Sequence, residues 1–429
     1  MRVIKNKVII DIKKEDFYLL VNGLNGAMDL INDSEKKQIC QWDKHIECDA
    51  LDEDQMQLYQ KLLGRGYIMT ASDESERRDM IIDMLRKCEN RDANGRNIWF
   101  VLTYNCNFSC PYCYEKQIRE SGTMTKPMVD TIFELNPNPE MIGFFGGEPL
   151  LLENHDIIKY IISKAPSNTR YCIITNGFYL EEYFDLLKNV DVQYIQVTLD
   201  GTQDNHNKTR FIHQNEDTYV KIMKGIEKYA KNNIPIHVRM NVNSGNIDDC
   251  IRQKEKMKGE SWGEKLFFEM QPIFQLSERA RNELYQRMIE DDMVNNNDNL
   301  ILRKMLPIAN ALHTNSGLHP IIKACDESGQ TRYYDPKGNI YNCILAVGQE
   351  KKSIGKYYPV VSMKNRSFLT RDISTIKECR DCTLALFCGG GCPNGLDASM
   401  DVYTPNCSEI RNTIIHLIPN LLREKMSDE

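Results

Sequence analysis

The central part of the chain alternates short apolar runs with amphipathic stretches of helical periodicity. The apolar runs, which predict strands, are residues 98–103, 141–145, 171–175, 194–199, 236–242 and 266–270. The helical stretches between them are residues 126–135, 156–164, 180–188, 218–231 and 247–258. Strands that alternate with helices of this length are typical of βα units and a parallel sheet. We therefore predict an α/β fold in which residues 97–310 form a partial, TIM-like (β/α)6 barrel.

A different pattern precedes this block. Residues 1–72 contain three short stretches of alternating apolar positions, around residues 8–12, 18–20 and 27–31, which predict strands. Two helices are predicted after them, the first capped by Ser34 and the second by Asp52, with a closing strand at residues 67–69. The layout indicates a winged-helix-like α+β module. It could offer a sheet edge to an extended peptide, or it could serve as a plain docking or dimerisation domain. The charged residues 73–96 predict a linker helix.

The third block, residues 311–429, follows an asparagine-rich interruption at residues 295–297 and is rich in cysteine. A hairpin is predicted at residues 333–339. The cysteines of this block, too closely grouped for ordinary packing, are Cys325, Cys343, Cys379, Cys382, Cys388, Cys392 and Cys407. Cys379 and Cys382 have the C-x2-C spacing that also suits zinc. The ligands of such a zinc site would be Cys379, Cys382, Cys388 and Cys407. Seven is an awkward number for zinc alone.

Composition narrows the function. The 429 residues are 41% apolar and 27% charged, as in an ordinary globular protein. A net charge of −7 argues against a nucleic-acid-binding surface. No apolar run approaches the ~18 residues that span a bilayer, and the first residues do not read as a signal peptide. Fifteen cysteines without a secretion signal favour reduced thiolates that hold metal in the cytoplasm.

The most informative cysteines are Cys106, Cys110 and Cys113, which follow the first predicted barrel strand at C-x3-C-x2-C spacing. A structural zinc site takes four ligands, and this segment offers three. A cubane [4Fe–4S] cluster has four iron corners, so three thiolates leave one iron open to a small molecule. The alternative is three buried apolar cysteines, which is unusual within eight residues.

Further special residues follow the next strands of the barrel. They form the segments 146–149 (GGEP), 175–177 (TNG), 198–201 (TLDG) and 239–241 (RMN). Each alone is ordinary turn chemistry, but in a parallel barrel the carboxyl ends of the strands share one rim. Glycines on that rim let a ligand approach the backbone, while Glu148, Asn176, Thr198 and Asp200 supply polar contacts.

Taken in order, the C-x3-C-x2-C, GGEP, TNG and TLDG motifs resemble the radical S-adenosylmethionine (SAM) superfamily. The resemblance implies that Cys106, Cys110 and Cys113 hold a catalytic [4Fe–4S] cluster whose fourth iron is chelated by SAM. One-electron cleavage of SAM would give a 5′-deoxyadenosyl radical that abstracts a hydrogen atom from the substrate. The cofactor-binding residues expected on this basis are Tyr112, Phe145, Gly146, Gly147, Glu148, Asn176, Thr198, Asp200 and Asn241. His206 reads as structural, and Arg210 as either a carboxylate partner or a surface ion pair.

The C-terminal cysteines resemble the SPASM extension of this superfamily, which implies two auxiliary [4Fe–4S] clusters and three clusters in all. Cys379, Cys382, Cys388 and Cys407 would fully ligate one auxiliary cluster. The other would be held by Cys325, Cys343 and Cys392, with a vacant or unusual fourth ligand that could receive a substrate thiolate.

The N-terminal block resembles, by layout, the leader-recognition element of ribosomal-peptide (RiPP) maturases. The leading hypothesis is therefore a maturase that acts on a leader-guided precursor peptide. Its product would be a thioether of the sactipeptide or ranthipeptide type, or another crosslink, with flavodoxin or ferredoxin as electron donor. Two alternatives stay open: formylglycine formation, as by an anaerobic sulfatase maturase, and a zinc-containing peptide-binding scaffold without redox activity. Neither nucleic acid nor membrane is an expected partner.

Overall fold

A computed structural model of the chain describes residues 1–12, 16–91, 96–117, 122–212, 217–273, 276–290, 311, 318–324, 331–363, 370–393, 403–407 and 418–419. The strands are β1 (Arg2–Val3), β2 (Lys7–Asp11), β3 (Phe17–Asn22), β4 (Met28–Asn32), β5 (Ile68–Met69), β6 (Asn97–Val101), β7 (Met141–Phe145), β8 (Arg170–Thr175), β9 (Asp191–Thr198), β10 (Ile236–Val242), β11 (Leu266–Pro272), β12 (Thr331–Tyr334), β13 (Asn339–Tyr341), β14 (Gly355–Lys356) and β15 (Ser362–Met363). The helices are α1 (Asp33–Gln41), α2 (Glu53–Gly64), α3 (Ala71–Arg91), α4 (Lys126–Leu135), α5 (His155–Lys164), α6 (Leu180–Leu187), α7 (Gln203–Thr209), α8 (Thr218–Lys231), α9 (Ile247–Lys258), α10 (Glu278–Glu290) and α11 (Ala385–Cys388).

The six predicted barrel strands are confirmed. Strands β6 to β11 pair in parallel and in chain order. Alternation along each strand separates two faces. On β9, Ile195 and Val197 are fully buried in the large core that also contains Ile222 of α8, whereas Gln196 and Thr198 face the barrel interior. The carboxyl ends of the strands therefore carry polar side chains above an apolar base.

The sheet does not end where the barrel was expected to end. Strand β12 pairs in parallel with β6, and β13, β14 and β15 continue antiparallel, which gives a ten-stranded sheet. The hairpin predicted at residues 333–339 thus belongs to the barrel sheet. The boundary predicted between residues 310 and 311 separates two sequence patterns, but the same sheet continues on both sides of it. The sequence of a hairpin does not indicate which sheet edge the hairpin will join.

The N-terminal block contains a three-stranded antiparallel sheet, β2-β3-β4, with helices α1 and α2 and a separate β1–β5 pair. Helix α1 begins two residues earlier than expected. Its N-cap is Asn32 instead of Ser34, since Asn32 and Glu35 form a reciprocal capping box. Helix α2 is capped by Asp52, as predicted, in a second capping box with Gln55. The closing strand pairs with β1 and not with the three-stranded sheet.

Helix α3, predicted as a linker, is a packed element. Ile81 and Ile82 are buried, in a core shared with residues of the C-terminal block such as Ile373. Arg78 Nη2 donates to the carbonyl of Cys379 at 2.9 Å, and Arg86 Nε donates to Asp372 at 2.7 Å. The dense charge of this segment predicts a linker. Two of its charged side chains, Arg78 and Arg86, instead form hydrogen bonds with distant parts of the chain.

The face of the N-terminal sheet that carries Val8, Ile10 and Leu19 packs on Phe387 and Cys388 of α11. The two flanking blocks therefore share an apolar core. Removing residues 1–72 would expose that core, so tests of the N-terminal block need point substitutions and not truncation.

Candidate active site

A cavity of about 370 Å³ opens at the carboxyl ends of the barrel strands. This is within the range of small-ligand sites. Its lining residues are Cys106, Phe108, Cys110, Tyr112, Cys113, Glu115, Phe145, Gly146, Gly147, Ile174, Thr175, Asn176, Gln196, Thr198, Arg210, Arg239, Asn241, Pro272, Ile273, Ile344 and Leu345. Ten of the predicted site residues are among them. Two predicted cofactor residues, Glu148 and Asp200, are not.

The three cysteines of the first motif lie on the loop that leaves β6, and all three thiols face this one cavity. The backbone N–H of Phe108 donates to Cys106 Sγ at 3.4 Å, and Asn176 Nδ2 lies 3.9 Å from the same sulfur. Three cysteine thiols around a small cavity are the donor set that a three-thiolate cluster needs. These residues fit the group that the sequence motif implies.

Gly146 and Gly147 directly follow β7, and their backbone lies against the loop that carries the three cysteines. The N–H of Gly147 donates to the carbonyl of Thr103 at 2.9 Å, and the N–H of Glu148 donates to that of Asn105 at 2.8 Å. A Cβ on Gly147 would lie 2.3 Å from the Asn105 carbonyl oxygen, and a Cβ on Gly146 would lie 2.3 Å from that of Thr103. The two glycines therefore allow close approach of the cysteine-loop backbone. The sequence had suggested close approach of a ligand.

Glu148 lies behind the cavity wall and is 1% exposed. Its carboxylate accepts hydrogen bonds from Thr175 Oγ1 at 2.6 Å and from the N–H groups of Asn176 and Leu150 at 2.7 and 2.8 Å. Burial raises the pKa of Glu148 to about 6, although these donors oppose the shift. The side chain ties the end of β8 to the GGEP turn, so it shapes the wall on which Asn176 sits.

Substituting Glu148→Gln should give a stability difference that depends on pH. The unfolded chain loses the Glu148 proton near 4.5 and the folded chain holds it to about 6, so the wild type loses about 2 kcal/mol of stability as pH rises across this window. The glutamine variant does not titrate and so lacks that loss. Its amide N–H would face hydrogen-bond donors, however, which lowers the free energy of unfolding by about 1–3 kcal/mol at every pH. Thermal unfolding should therefore show the variant as less stable at pH 4.5, with a gap that narrows or closes as the pH rises to 6. A gap independent of pH would contradict the buried, titrating carboxylate.

Asp200 is fully buried and supports Tyr112 from behind. The Tyr112 hydroxyl donates to Asp200 Oδ2 and accepts from Arg210 Nη1 at 2.9 Å. Burial raises the pKa of Asp200, and the Arg210 guanidinium counteracts this rise. Arg210, left open between two roles by the sequence, is buried and lines the cavity, which excludes a surface ion pair. Its charge and the Tyr112 ring are thus fixed together at the cavity wall.

His206 has the structural role expected of it and lies on helix α7. The side chain is fully buried, and its Nδ1 accepts from the N–H of Asp200 at 3.2 Å. Burial lowers the pKa of His206 well below its usual value, so the imidazole is neutral. It does not line the cavity.

Several lining residues were missed from the sequence as site residues, among them Gln196, Arg239, Ile344 and Leu345. Gln196 and Arg239 could have been found, because each lies two positions from a chosen residue on the same strand, Thr198 and Asn241 respectively. Arg239 Nη1 lies 3.9 Å from Glu269 on β11. Ile344 and Leu345 directly follow Cys343 and bring the C-terminal block to the cavity. No sequence signal placed these two residues there.

The four cysteines predicted to ligate one auxiliary cluster, Cys379, Cys382, Cys388 and Cys407, lie close together at α11. Burial raises the pKa of Cys379 to about 12, and the neighbouring thiols of Cys388, Cys382 and Cys407 add to the shift. Burial likewise raises the pKa of Cys388 to about 11, although the N–H of Gly390 donates to its sulfur at 3.3 Å. Neutral thiols grouped in this way would release protons on binding metal.

Within the described ranges, no three His, Cys, Asp or Glu side chains are close enough to hold a single metal ion. A cubane with four irons spaces its thiolates more widely than one ion does, so this finding does not bear on a cluster. Cys325 lies outside the described residues. Cys343 is buried beside β13, and Cys392 follows the glycines after α11. The grouping of Cys325, Cys343 and Cys392 therefore stays a prediction.

Comparisons with known proteins agree with this geometry. Residues 100–253 match the family model described as the radical SAM superfamily. A GTP 3',8-cyclase of Clostridium acetobutylicum is 29% identical over 195 residues, which are 42% of this chain and 59% of the cyclase. This chain thus spans less than two thirds of that relative.

Two solved structures share the fold at low sequence identity. The structure described as native anSMEcpe with bound AdoMet and Kp18Cys peptide has a TM-score of 0.59 at 16% identity, over 77% of this chain and 99% of its own. Streptococcus suis SuiB bound to S-adenosylmethionine has a TM-score of 0.50 at 10% identity, over 95% of this chain and 99% of its own.

The described helices include none that is both long and apolar enough to cross a membrane. The radical SAM match over residues 100–253 implies SAM and one [4Fe–4S] cluster as cofactors. From the family match, the shared fold and the cysteine-lined cavity together, residues 100–253 are a domain of the radical SAM superfamily of enzymes.

Proposed function

We propose that this chain is a radical SAM maturase that modifies a leader-guided ribosomal peptide, with a thioether as the favoured product. The observation that carries the proposal is the composition of one cavity. It is lined by Cys106, Cys110 and Cys113, by the strand-end motifs, and by Ile344 and Leu345 next to Cys343. The cysteine loop predicted to hold the catalytic cluster and the segment that directly follows Cys343 thus border the same space.

Cys106, Cys110 and Cys113 would hold the catalytic cluster, and the reduced cluster with SAM supplies a carbon radical that takes a hydrogen atom from the substrate. The remaining residues orient and enclose the cofactor. Tyr112, fixed by Asp200 and Arg210, offers an aromatic face to the adenine. The Arg210 guanidinium suits a carboxylate, and Asn176, Thr198 and Asn241 offer polar groups on the adjoining strand ends. Phe145, Ile174 and Ile344 restrict water.

The C-terminal cysteines would hold two auxiliary clusters, with Cys379, Cys382, Cys388 and Cys407 on one, and Cys325, Cys343 and Cys392 on the other. A three-cysteine cluster next to the cavity has a free iron corner that suits a substrate thiolate. Cys343 directly precedes two cavity-lining residues, so Cys325, Cys343 and Cys392 would hold their cluster beside the cavity, where it could bind a substrate thiolate. This juxtaposition favours a thioether over other crosslinks.

The leader would add as a strand to β4. In the sheet order β2-β3-β4, no further strand lies beside β4 among the residues described. The N–H of Asn22 bonds the carbonyl of Ala27 at 2.8 Å, and bonded pairs alternate along an antiparallel ladder. This alternation directs the N–H and C=O of Leu30 away from β3, towards the open edge. The Leu30 side chain is 48% exposed.

Leu30→Pro should weaken leader binding about tenfold, because it removes one N–H from the open edge and leaves the β3–β4 ladder intact. The probe is a fluorescently labelled synthetic leader peptide, taken from any short open reading frame found beside the gene, and its binding is measured by fluorescence anisotropy. Leu30→Ala, which keeps the N–H, is the matched control and should bind nearly as the wild type does. SAM cleavage without peptide should be unchanged in both variants. Equal leader binding by the proline variant and the wild type would rule out strand addition at β4.

A second candidate, nucleotide cyclisation, is favoured by the sequence similarity to GTP 3',8-cyclase. That similarity covers 42% of this chain, whereas the fold shared with SuiB covers 95%. The deciding experiment incubates the reconstituted protein with SAM and reductant, and adds either GTP or the precursor peptide. We expect the mass of the peptide to fall by the mass of the hydrogen atoms that crosslinking removes, and we expect GTP to remain unchanged. A cyclised nucleotide with an unmodified peptide would favour the second candidate.

A further inference from the structure

One buried carboxylate connects the two cysteine regions that border the cavity. Asp335, in the turn between β12 and β13, is 0% exposed. Its Oδ2 accepts hydrogen bonds from the hydroxyls of Tyr104 at 2.8 Å and Tyr341 at 3.2 Å. Asn339 Nδ2 donates to the same oxygen at 3.1 Å, and the N–H groups of Asn339 and Lys337 donate to Oδ1 at 2.7 and 3.0 Å.

The two tyrosines occupy equivalent places in the chain. Tyr104 lies two residues before Cys106, and Tyr341 lies two residues before Cys343. Both are buried, at 1% and 0% exposure, in a small core that also contains Cys343. A single carboxylate oxygen therefore receives one hydroxyl from each cysteine-bearing segment.

Neither tyrosine hydroxyl lines the cavity, and neither does Asp335. The hairpin is already held to the barrel by the β6–β12 pairing, so the fold does not require a buried charge at this place. A buried carboxylate is costly unless its hydrogen bonds are satisfied, and five donors satisfy this one. These directional hydrogen bonds fix the distance between the segment of Tyr104 and the segment of Tyr341. An apolar contact in their place would fix that distance less tightly.

We propose that Asp335 is a positioning residue that sets the placement of the Cys106 loop relative to Cys343, and thereby couples the radical site to the C-terminal cysteine site. Tyr104 and Tyr341 are the two arms of this connection. The inference rests on the proposed function for its catalytic consequence, but the physical connection can be measured without turnover.

The test compares the anaerobically reconstituted full chain with Asp335→Asn, Tyr341→Phe and Tyr357→Phe. Tyr357 is the matched control, because its hydroxyl donates to the backbone carbonyl of Asp335 at 2.7 Å and not to the carboxylate. Amide hydrogen exchange is followed in residues 103–107, which Tyr341 reaches through Asp335. The KM for SAM and the ratio of peptide product to deoxyadenosine are measured in parallel.

We expect Asp335→Asn and Tyr341→Phe to speed exchange in residues 103–107 about tenfold, the scale on which supporting residues act on metal sites. The KM for SAM should rise and the product ratio should fall in both variants, while Tyr357→Phe matches the wild type. Tyr341→Phe is the milder change and serves if Asp335→Asn does not fold. Unchanged exchange in Tyr341→Phe, or an equal change in Tyr357→Phe, would overturn the inference. A wild type that cleaves no SAM would overturn the proposed function, while the exchange data would still decide this one.

Discussion

Cys106→Ala should reduce deoxyadenosine formation from SAM to the level seen without protein. Cys106 is one of three thiols that line the same cavity, and a cubane held by the remaining two would have two open corners. The iron content should fall from about twelve to about eight per chain, because the C-terminal cysteines are untouched. The measurement is liquid chromatography of the reduced reaction, with iron quantified on the same sample.

The matched control is Cys40→Ala. Cys40 is an exposed free thiol on α1, so its removal tests whether any loss of a cysteine harms the preparation. It should keep both iron and SAM cleavage. Continued deoxyadenosine formation by Cys106→Ala would show that the first motif does not hold the catalytic cluster.

Gly147→Ala should be nearly as damaging, although it removes no functional group. The added Cβ would lie 2.3 Å from the Asn105 carbonyl oxygen and 2.6 Å from that of Tyr104, and both are backbone atoms that cannot turn aside. The cysteine loop must then move as a unit, which displaces Cys106 from the cavity wall. We expect SAM affinity to fall at least about tenfold, since small misplacements at such sites are costly.

Gly64→Ala provides the comparison for this substitution. Gly64 is at the end of α2, and a Cβ there would meet no atom within 4 Å. This variant should bind SAM as the wild type does and unfold at the same or a slightly higher temperature. Equilibrium dialysis with labelled SAM distinguishes the two. Wild-type affinity in Gly147→Ala would contradict the contact between the GGEP turn and the cysteine loop.

The barrel could be predicted because its strands and helices have separate, strong periodicities and appear in order. The ten-stranded sheet could not, because β12 pairs with β6 across more than two hundred residues of chain, and no local pattern encodes that partner. The sequence predicts a linker at helix α3 for a similar reason. Its charges are visible in the sequence, but their partners Asp372 and the Cys379 carbonyl are distant.

The sequence located residues of the cavity wall where a residue's chemistry and its strand position agree. The cysteines, Tyr112, Asn176 and Asn241 all line the cavity. Glu148 and Asp200 lie behind the cavity wall and do not line the cavity. The sequence could not show this, because a polar residue at a strand end can face either the cavity or the structure behind it. Asp335 was overlooked as part of a turn, since its importance lies in the two tyrosines it joins.

The central claim is that Cys106, Cys110 and Cys113 hold a cluster with an iron open to SAM. The most direct measurement is electron paramagnetic resonance of the dithionite-reduced full chain, recorded with and without SAM. We predict a [4Fe–4S] signal whose shape changes when SAM is added, and no such change in Cys106→Ala. A spectrum that is identical with and without SAM would contradict the claim.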